Sequence, residues 1–184
     1  MLSHQQRGAR NTAAIAAGRA KPIQVSLSPV SDMAREMDDI YFEDAIPGTV
    51  LHAGPYVIPE QELVAFASAW DPMPMHVDKD FAATRGGLTA PGIYLLSVKL
   101  RLVHSLPFRR TVIASVGYDE VRFLRPVHPG DALTLALEWT DKRRSKTKPD
   151  RGLVTGRYSL VNAADDVVMS HLDTLIIRLR DPQV

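Results

Sequence analysis

The chain has 184 residues, 45% hydrophobic and 23% charged, with a formal net charge of +1; this is the composition of one globular domain with some excess length, and it excludes a wholly disordered or low-complexity chain. So small a charge supplies no global field toward nucleic acid or an anionic membrane, neither of which is expected as a partner, and no apolar run approaches the ~20 residues of a bilayer span. The absence of cysteine excludes disulfides, thiolate metal sites and a cysteine nucleophile together, and a soluble, cytoplasmic protein is expected.

From Met1 to Ser31 there is no acidic residue, while Arg7, Arg10, Arg19 and Lys21 are scattered without periodicity. Residues 1–38 are expected to be a disordered or loosely attached extension, or, being acid-poor and Arg-bearing, a mitochondrial transit peptide. A single domain is expected over 39–184. Its first segment, "YFEDAIPGTVLHAGPYVI", mixes Gly and Pro turns with β-branched and aromatic residues and predicts a loop and a short strand. "PEQELVAFASAW" then places Leu63, Val64, Ala67 and Trp70 at helical spacing behind Pro59 and two glutamates. Pro72 and Pro74 oppose continuation of that helix, so Asp71 to Met75 is expected to be an extended loop.

"DKDFAAT" predicts a short helical turn, and "IYLLSVKLRLVHSL", with few charges, a mostly buried helix ended by Pro107. Four strands follow: "TVIASVGYDEVRF", "DALTLALEWTDK", "GLVTGRYSLVNA" and "VVMSHLDTLIIRL", the last three largely alternating apolar and polar residues. Helices gathered between one strand and four successive strands predict an α+β fold, an antiparallel sheet with a buried helix laid across it.

Within this outline "WDPMPMHVD" holds Asp71 and His76 five residues apart. An Asp and a His are residue types that can share one water as acid and base, and the intervening loop permits both to face one point. "HVD" suggests metal ligation by His76 and Asp78, but no further ligand falls at a recognisable spacing, so no metal and no cofactor are expected. His104, His128 and His171 are read as structural or exposed.

Three motifs, in order, resemble the MaoC-like (R)-specific enoyl-CoA hydratases and acyl dehydratases of the hotdog fold: "DPMPMH", similar to the family's Asp-x-Asn-Pro-x-His signature; "GGLTAPG", before the central helix; and "GYDEVRFLRPVHPGDAL", similar to its Val-Arg-Phe, Pro-Val, Pro-Gly-Asp signature. The resemblance runs from about Asp39 to Leu179. Met73 stands where the signature has Asn, and Pro91-Gly92 where His-Gly is common; "KPDRG" is similar to a loop of a bacterial acyl dehydratase-like group. It implies a curved antiparallel sheet around a long central helix, an Asp71/His76 pair that activates water for a 2-enoyl thioester, and the N–H of Gly92 as oxyanion donor. It also implies an acyl-CoA or acyl-carrier substrate, and a homodimer or larger homo-oligomer.

"DKRRSKTKPDR" sets Lys142, Arg143, Arg144, Lys146, Lys148 and Arg151 against Asp141 and Asp150. Such a run is ordinarily a solvated hairpin; the functional expectation is that Arg143, Arg144, Lys146, Lys148 and Arg151 meet the phosphates of coenzyme A. The expected reaction is hydration of a trans-2-enoyl thioester to an (R)-3-hydroxyacyl thioester, or its reverse. The alternatives are a hotdog thioesterase and a non-catalytic acyl-CoA-binding subunit, for which Met73 and Pro91 are the suggestive departures.

Overall fold

Period-2 patterning sorts the carboxy-terminal strands into two faces. Leu133, Leu135, Leu137 and Trp139 are buried and alternate with partly exposed neighbours, and the two strands that follow repeat the pattern. The computed structural model describes residues 39–106 and 109–182; the amino-terminal extension and Pro107 lie outside the described residues. The elements are β1 (Asp39–Ile40), a 3-10 turn (Phe42–Asp44), β2 (Val50–Val57), α1 (Glu60–Trp70), α2 (Pro74–Val77), α3 (Lys79–Ala83), α4 (Gly92–His104), β3 (Arg109–Arg110), β4 (Val112–Phe123), β5 (Ala132–Arg144), β6 (Arg151–Val161) and β7 (Val167–Arg178).

Five strands form one sheet in the order β2-β5-β6-β7-β4, antiparallel at every pairing. β5, β6 and β7 are a meander. β4 instead occupies the edge beside β7, so the chain from Leu124 to Asp131 must cross the sheet to reach β5, next to the opposite edge. Val127 and His128 of this crossover hydrogen-bond Ala90 and Leu88, on either side of Thr89. β4 is irregular, with three register shifts, and it exposes Val116 and Phe123.

α4 packs across β2 and β5 and buries Tyr94, Leu95, Val98, Leu102 and Val103. Each such aliphatic side chain contributes about 1.5–3 kcal/mol by leaving water. The expected buried helix and the α+β architecture are therefore present.

One local expectation is corrected. The loop after α1 is extended only over Asp71 to Met73, because Pro74 opens the helix α2 and His76 lies within that helix. Proline suits a first helical position, having no N–H to lose and a φ already helical; Met73, at φ −70° and ψ 141°, has the extended backbone that a following proline demands. Trp70 continues the spacing of Leu63 and Ala67, yet it is 73% exposed at the end of α1, where the chain turns away from the core.

Candidate active site

Pro72 and Pro74 act differently on the two residues they separate. Asp71 ends α1, its N–H still donating to the Ala67 carbonyl, and its own carbonyl accepts the Met73 N–H at 2.8 Å, closing a tight turn over Pro72. α2 then begins, and the N–H of His76 returns to the Met73 carbonyl at 2.8 Å. The two reversals bring Nε2 of His76 to 3.7 Å from Oδ2 of Asp71, with side-chain exposures of 8% and 35%. The histidine is walled in and the carboxylate is open to solvent on one side.

The other ring nitrogen sets the state of the pair. Nδ1 of His76 lies 2.6 Å from the Thr89 carbonyl oxygen, which can only accept, so Nδ1 carries the hydrogen. In the neutral ring Nε2 is then the unprotonated nitrogen and presents its lone pair toward Asp71. At 3.7 Å the two groups are too far apart for a direct hydrogen bond. A water about 2.8 Å from each fits at the apex of that triangle.

Thr89 is itself held on both sides. Its N–H donates to the Met75 carbonyl at 3.1 Å, the next N–H, of Ala90, donates to the Val127 carbonyl at 2.8 Å, and Nδ1 of His128 donates to the Leu88 carbonyl at 2.8 Å. The "RPVHPGD" crossover thus fixes the carbonyl that orients His76. His128 is structural, as expected. Asp78 does not face the pair: its carboxylate caps α3 by accepting from the Asp80 and Phe81 N–H groups at 3.0 Å.

Gly92 occupies the first position of α4, where the N–H has no acceptor within the helix, and the helix's partial positive charge is concentrated there. It follows Thr89 by three residues, so the two Cα atoms are within about 11 Å. A Cβ at Gly92 would lie 2.6 Å from the Phe123 ring, so a larger residue there requires that exposed ring to move aside. Pro91, extended at φ −59° and ψ 144°, precedes the helix and sets its angle of approach.

Glu62 of α1 accepts from both Tyr56 of β2 and Tyr94 of α4, each at 2.8 Å. It thereby ties the helix that ends at Asp71 to the helix that begins at Gly92. Burial first, then the hydrogen bond to Glu62, raises the Tyr56 hydroxyl to about 12; the same causes push Tyr94 higher, so both phenols stay neutral donors.

The basic hairpin is not brought to the pair within one chain. Arg143 and Arg144 end β5 and Arg151 opens β6, while the crossover that holds Thr89 joins β5 at its opposite end, twelve residue steps or about 40 Å of strand away. Arg151 is held by Asp150 through a two-point contact at 2.7 and 2.8 Å, whereas Lys146 and Lys148 are exposed. The pairing with Asp150 also lowers that carboxyl's pKa.

Sequence reasoning missed Thr89 as a positioning residue, because it acts through a carbonyl that any residue would supply. It also missed Lys99, which is 1% exposed on α4. Its Nζ donates to the Tyr118 hydroxyl at 3.2 Å and lies over the Tyr118 and Tyr158 rings. Its spacing four residues after Leu95 and three before Leu102 was the available signal. His171, expected to be structural or exposed, is buried and stacked on Tyr158 in the same cluster. His104 is exposed.

A five-stranded antiparallel sheet crossed by a buried helix is the hotdog architecture, and here an Asp/His pair lies near the helix's amino end. The chain belongs to the family described as MaoC like domain, whose model matches residues 41–160. It is 28% identical over 136 residues to the uncharacterized protein YdeM of Bacillus subtilis, covering 71% of this chain and 94% of that one. It is 30% identical over 151 residues to the beta-methylmalyl-CoA dehydratase of Chloroflexus aurantiacus, covering 77% of this chain but only 41% of the dehydratase. Among solved structures, an R-hydratase from Pseudomonas aeruginosa is similar with a TM-score of 0.63 and 25% identity, over 79% of this chain and 89% of that chain. A Mycobacterium tuberculosis protein described as having a double hotdog fold matches with a TM-score of 0.62 and 22% identity, over 77% of this chain and 44% of that chain.

Proposed function

We propose that the protein hydrates a trans-2-enoyl thioester to a 3-hydroxyacyl thioester, or runs the reverse dehydration, with Asp71 and His76 handling one water. The observation that carries this reading is the His76 ring: Nδ1 is committed to Thr89 at 2.6 Å, and Nε2 is left as an acceptor 3.7 Å from Asp71. In the hydration direction water gives one proton to Nε2, its oxygen bonds to the β-carbon, and the π electrons move toward the thioester carbonyl. The proton then passes from Nε2 to the α-carbon, so one H and one OH have been added and the enzyme is unchanged. Asp71 stays ionised, holds the second O–H of the water and stabilises the transient imidazolium. The Gly92 N–H meets the charge that develops on the thioester oxygen.

The similarity to an R-hydratase and to a CoA-thioester dehydratase supports the same chemistry. A homodimer joined along the β4 edge is part of the proposal, since that edge has no strand beyond it among the described residues and carries exposed Val116 and Phe123. The basic hairpin, through Arg143, Arg144, Lys146 and Lys148, would then serve the carrier phosphates of a site in the other copy, with Arg151 engaged by Asp150.

The test is incubation with crotonyl-CoA, following loss of the conjugated enoyl absorbance and release of free thiol in parallel. Enoyl loss without thiol release, abolished in both Asp71→Asn and His76→Ala, is the expected result. Full activity in either variant removes the pair from the mechanism, and thiol release at the rate of enoyl loss replaces hydration by thioester hydrolysis.

A further inference from the structure

The loop that carries the Asp71–His76 pair has a second face. A small, partly open cavity of about 180 Å³ lies against it, lined by Met73, Pro74, Met75 and Phe81, by the exposed Arg85, and by Thr89, the residue whose carbonyl holds His76. Its volume corresponds to about six water-sized groups, enough for the acyl portion of a short substrate and far too little for a nucleotide. The lining is mostly apolar, and its one charged residue is cationic.

Arg85 stands four residues after Phe81, on the same side of the chain, and its guanidinium lies 4.5 Å from the centre of the Phe81 ring. Stacking occupies one face of the guanidinium and leaves the in-plane N–H donors, which can receive a carboxylate at two points, uncovered by the ring. Among the described residues no carboxylate lies within ion-pair distance of Arg85, whereas Arg125, Arg151, Arg157 and Arg180 each have one.

We propose that this cavity receives the distal end of the acyl group and that Arg85 binds a carboxylate there, so that the substrate class is a short enoyl thioester ending in a second carboxylate. This rests on the hydratase reading of Asp71 and His76. Met73, where similar signatures have Asn, then has a use: its thioether supplies apolar wall to the cavity that Arg85 also lines. Arg85 is a specificity-determining residue, with no part in moving protons.

The experiment compares wild type with Arg85→Gln and Arg85→Lys on two substrates sharing one carrier, crotonyl-CoA and fumaryl-CoA. Wild type is expected to prefer fumaryl-CoA in kcat/KM. Arg85→Gln is expected to lose roughly 10- to 100-fold on fumaryl-CoA, the cost of one charged hydrogen-bonding contact, and to stay within about twofold on crotonyl-CoA; Arg85→Lys recovers part of the loss. Equal loss on both substrates would assign Arg85 to the carrier phosphates and overturn the proposal, as would no loss on either. Calorimetric Kd values for unreactive succinyl-CoA and butyryl-CoA separate this claim from the catalytic one. If neither enoyl substrate is hydrated, the hydratase reading fails, while a succinyl-CoA preference lost in Arg85→Gln still upholds the carboxylate site and equal affinities overturn it.

Discussion

His76 donates its Nδ1 hydrogen to the Thr89 carbonyl across 2.6 Å, and the same contact turns Nε2 toward Asp71. Nitrogen-15 spectra of the full chain should therefore show the neutral His76 ring as the tautomer protonated at Nδ1. A population protonated mainly at Nε2 would put the hydrogen on the face assigned to the water and contradict the assignment of that nitrogen as acceptor.

Gly92 offers a way to separate an N–H group from the space around it. Gly92→Ala and Gly92→Pro both add a Cβ, which meets the Phe123 ring at 2.6 Å. Phe123 is 51% exposed and can swing aside, so both variants should fold. Proline is tolerated at a first helical position, and Pro91 already has the extended backbone required before it. Only Gly92→Pro removes the donor, so its hydration rate should fall a further 10²–10³-fold below that of Gly92→Ala. Equal rates in the two variants would remove Gly92 as an oxyanion donor.

Glu62 joins α1 to α4 by accepting from Tyr56 and Tyr94. Glu62→Ala strands a buried tyrosyl hydroxyl and should lower stability by about 1–3 kcal/mol in urea denaturation. Glu62→Gln should cost less, because its amide keeps one acceptor and can donate to the other phenol. A loss in Glu62→Gln equal to that in Glu62→Ala would show that the negative charge, rather than the pair of hydrogen bonds, holds the helices together.

His171 is fully buried between the Tyr118 and Tyr158 rings, with Nε2 unpartnered among the described residues and with Lys99 and Asp173 as its charged neighbours. Burial is the chief cause that holds it below the ordinary value of 6.5; the Lys99 charge acts in the same direction, opposed by the Leu172 carbonyl and Asp173. With the folded value below the unfolded one, the unfolded chain takes up more protons in acid. This stability contribution is therefore complete above about pH 6.5 and is lost as pH falls toward the depressed folded value. The urea midpoint should decline from about pH 7 to about pH 5, and more shallowly in His171→Phe, which has no group to protonate. An unchanged decline in that variant would place the titration elsewhere.

What could be read from the sequence divides along a physical line. Asp71 and His76 were legible as a candidate pair from their residue types and from the motifs resembling a known family, and the structure brings them to 3.7 Å; the helices and alternating strands were legible because local periodicity encodes them. The carbonyl of Thr89 was not, since backbone groups carry no residue signature. Nor was the start of α2 at Pro74: a proline opposes a helix that precedes it but favours one that it opens. The placement of β4 at the far edge, which sends the crossover under Thr89, depends on pairing between distant segments. The positive excess near Arg151 was read as charge alone, whereas Asp150 closes on Arg151 and leaves that arginine engaged.

The reaction of crotonyl-CoA in oxygen-18-labelled water tests the assignment of Asp71 and His76 most directly, because the label reports which carbon the activated water attacks. Wild type should give intact 3-hydroxybutyryl-CoA with one labelled oxygen on its β-carbon, and Asp71→Asn and His76→Ala should give none above the uncatalysed background. Label appearing instead in a free carboxylic acid, with coenzyme A released, would contradict the account and make the protein a thioesterase.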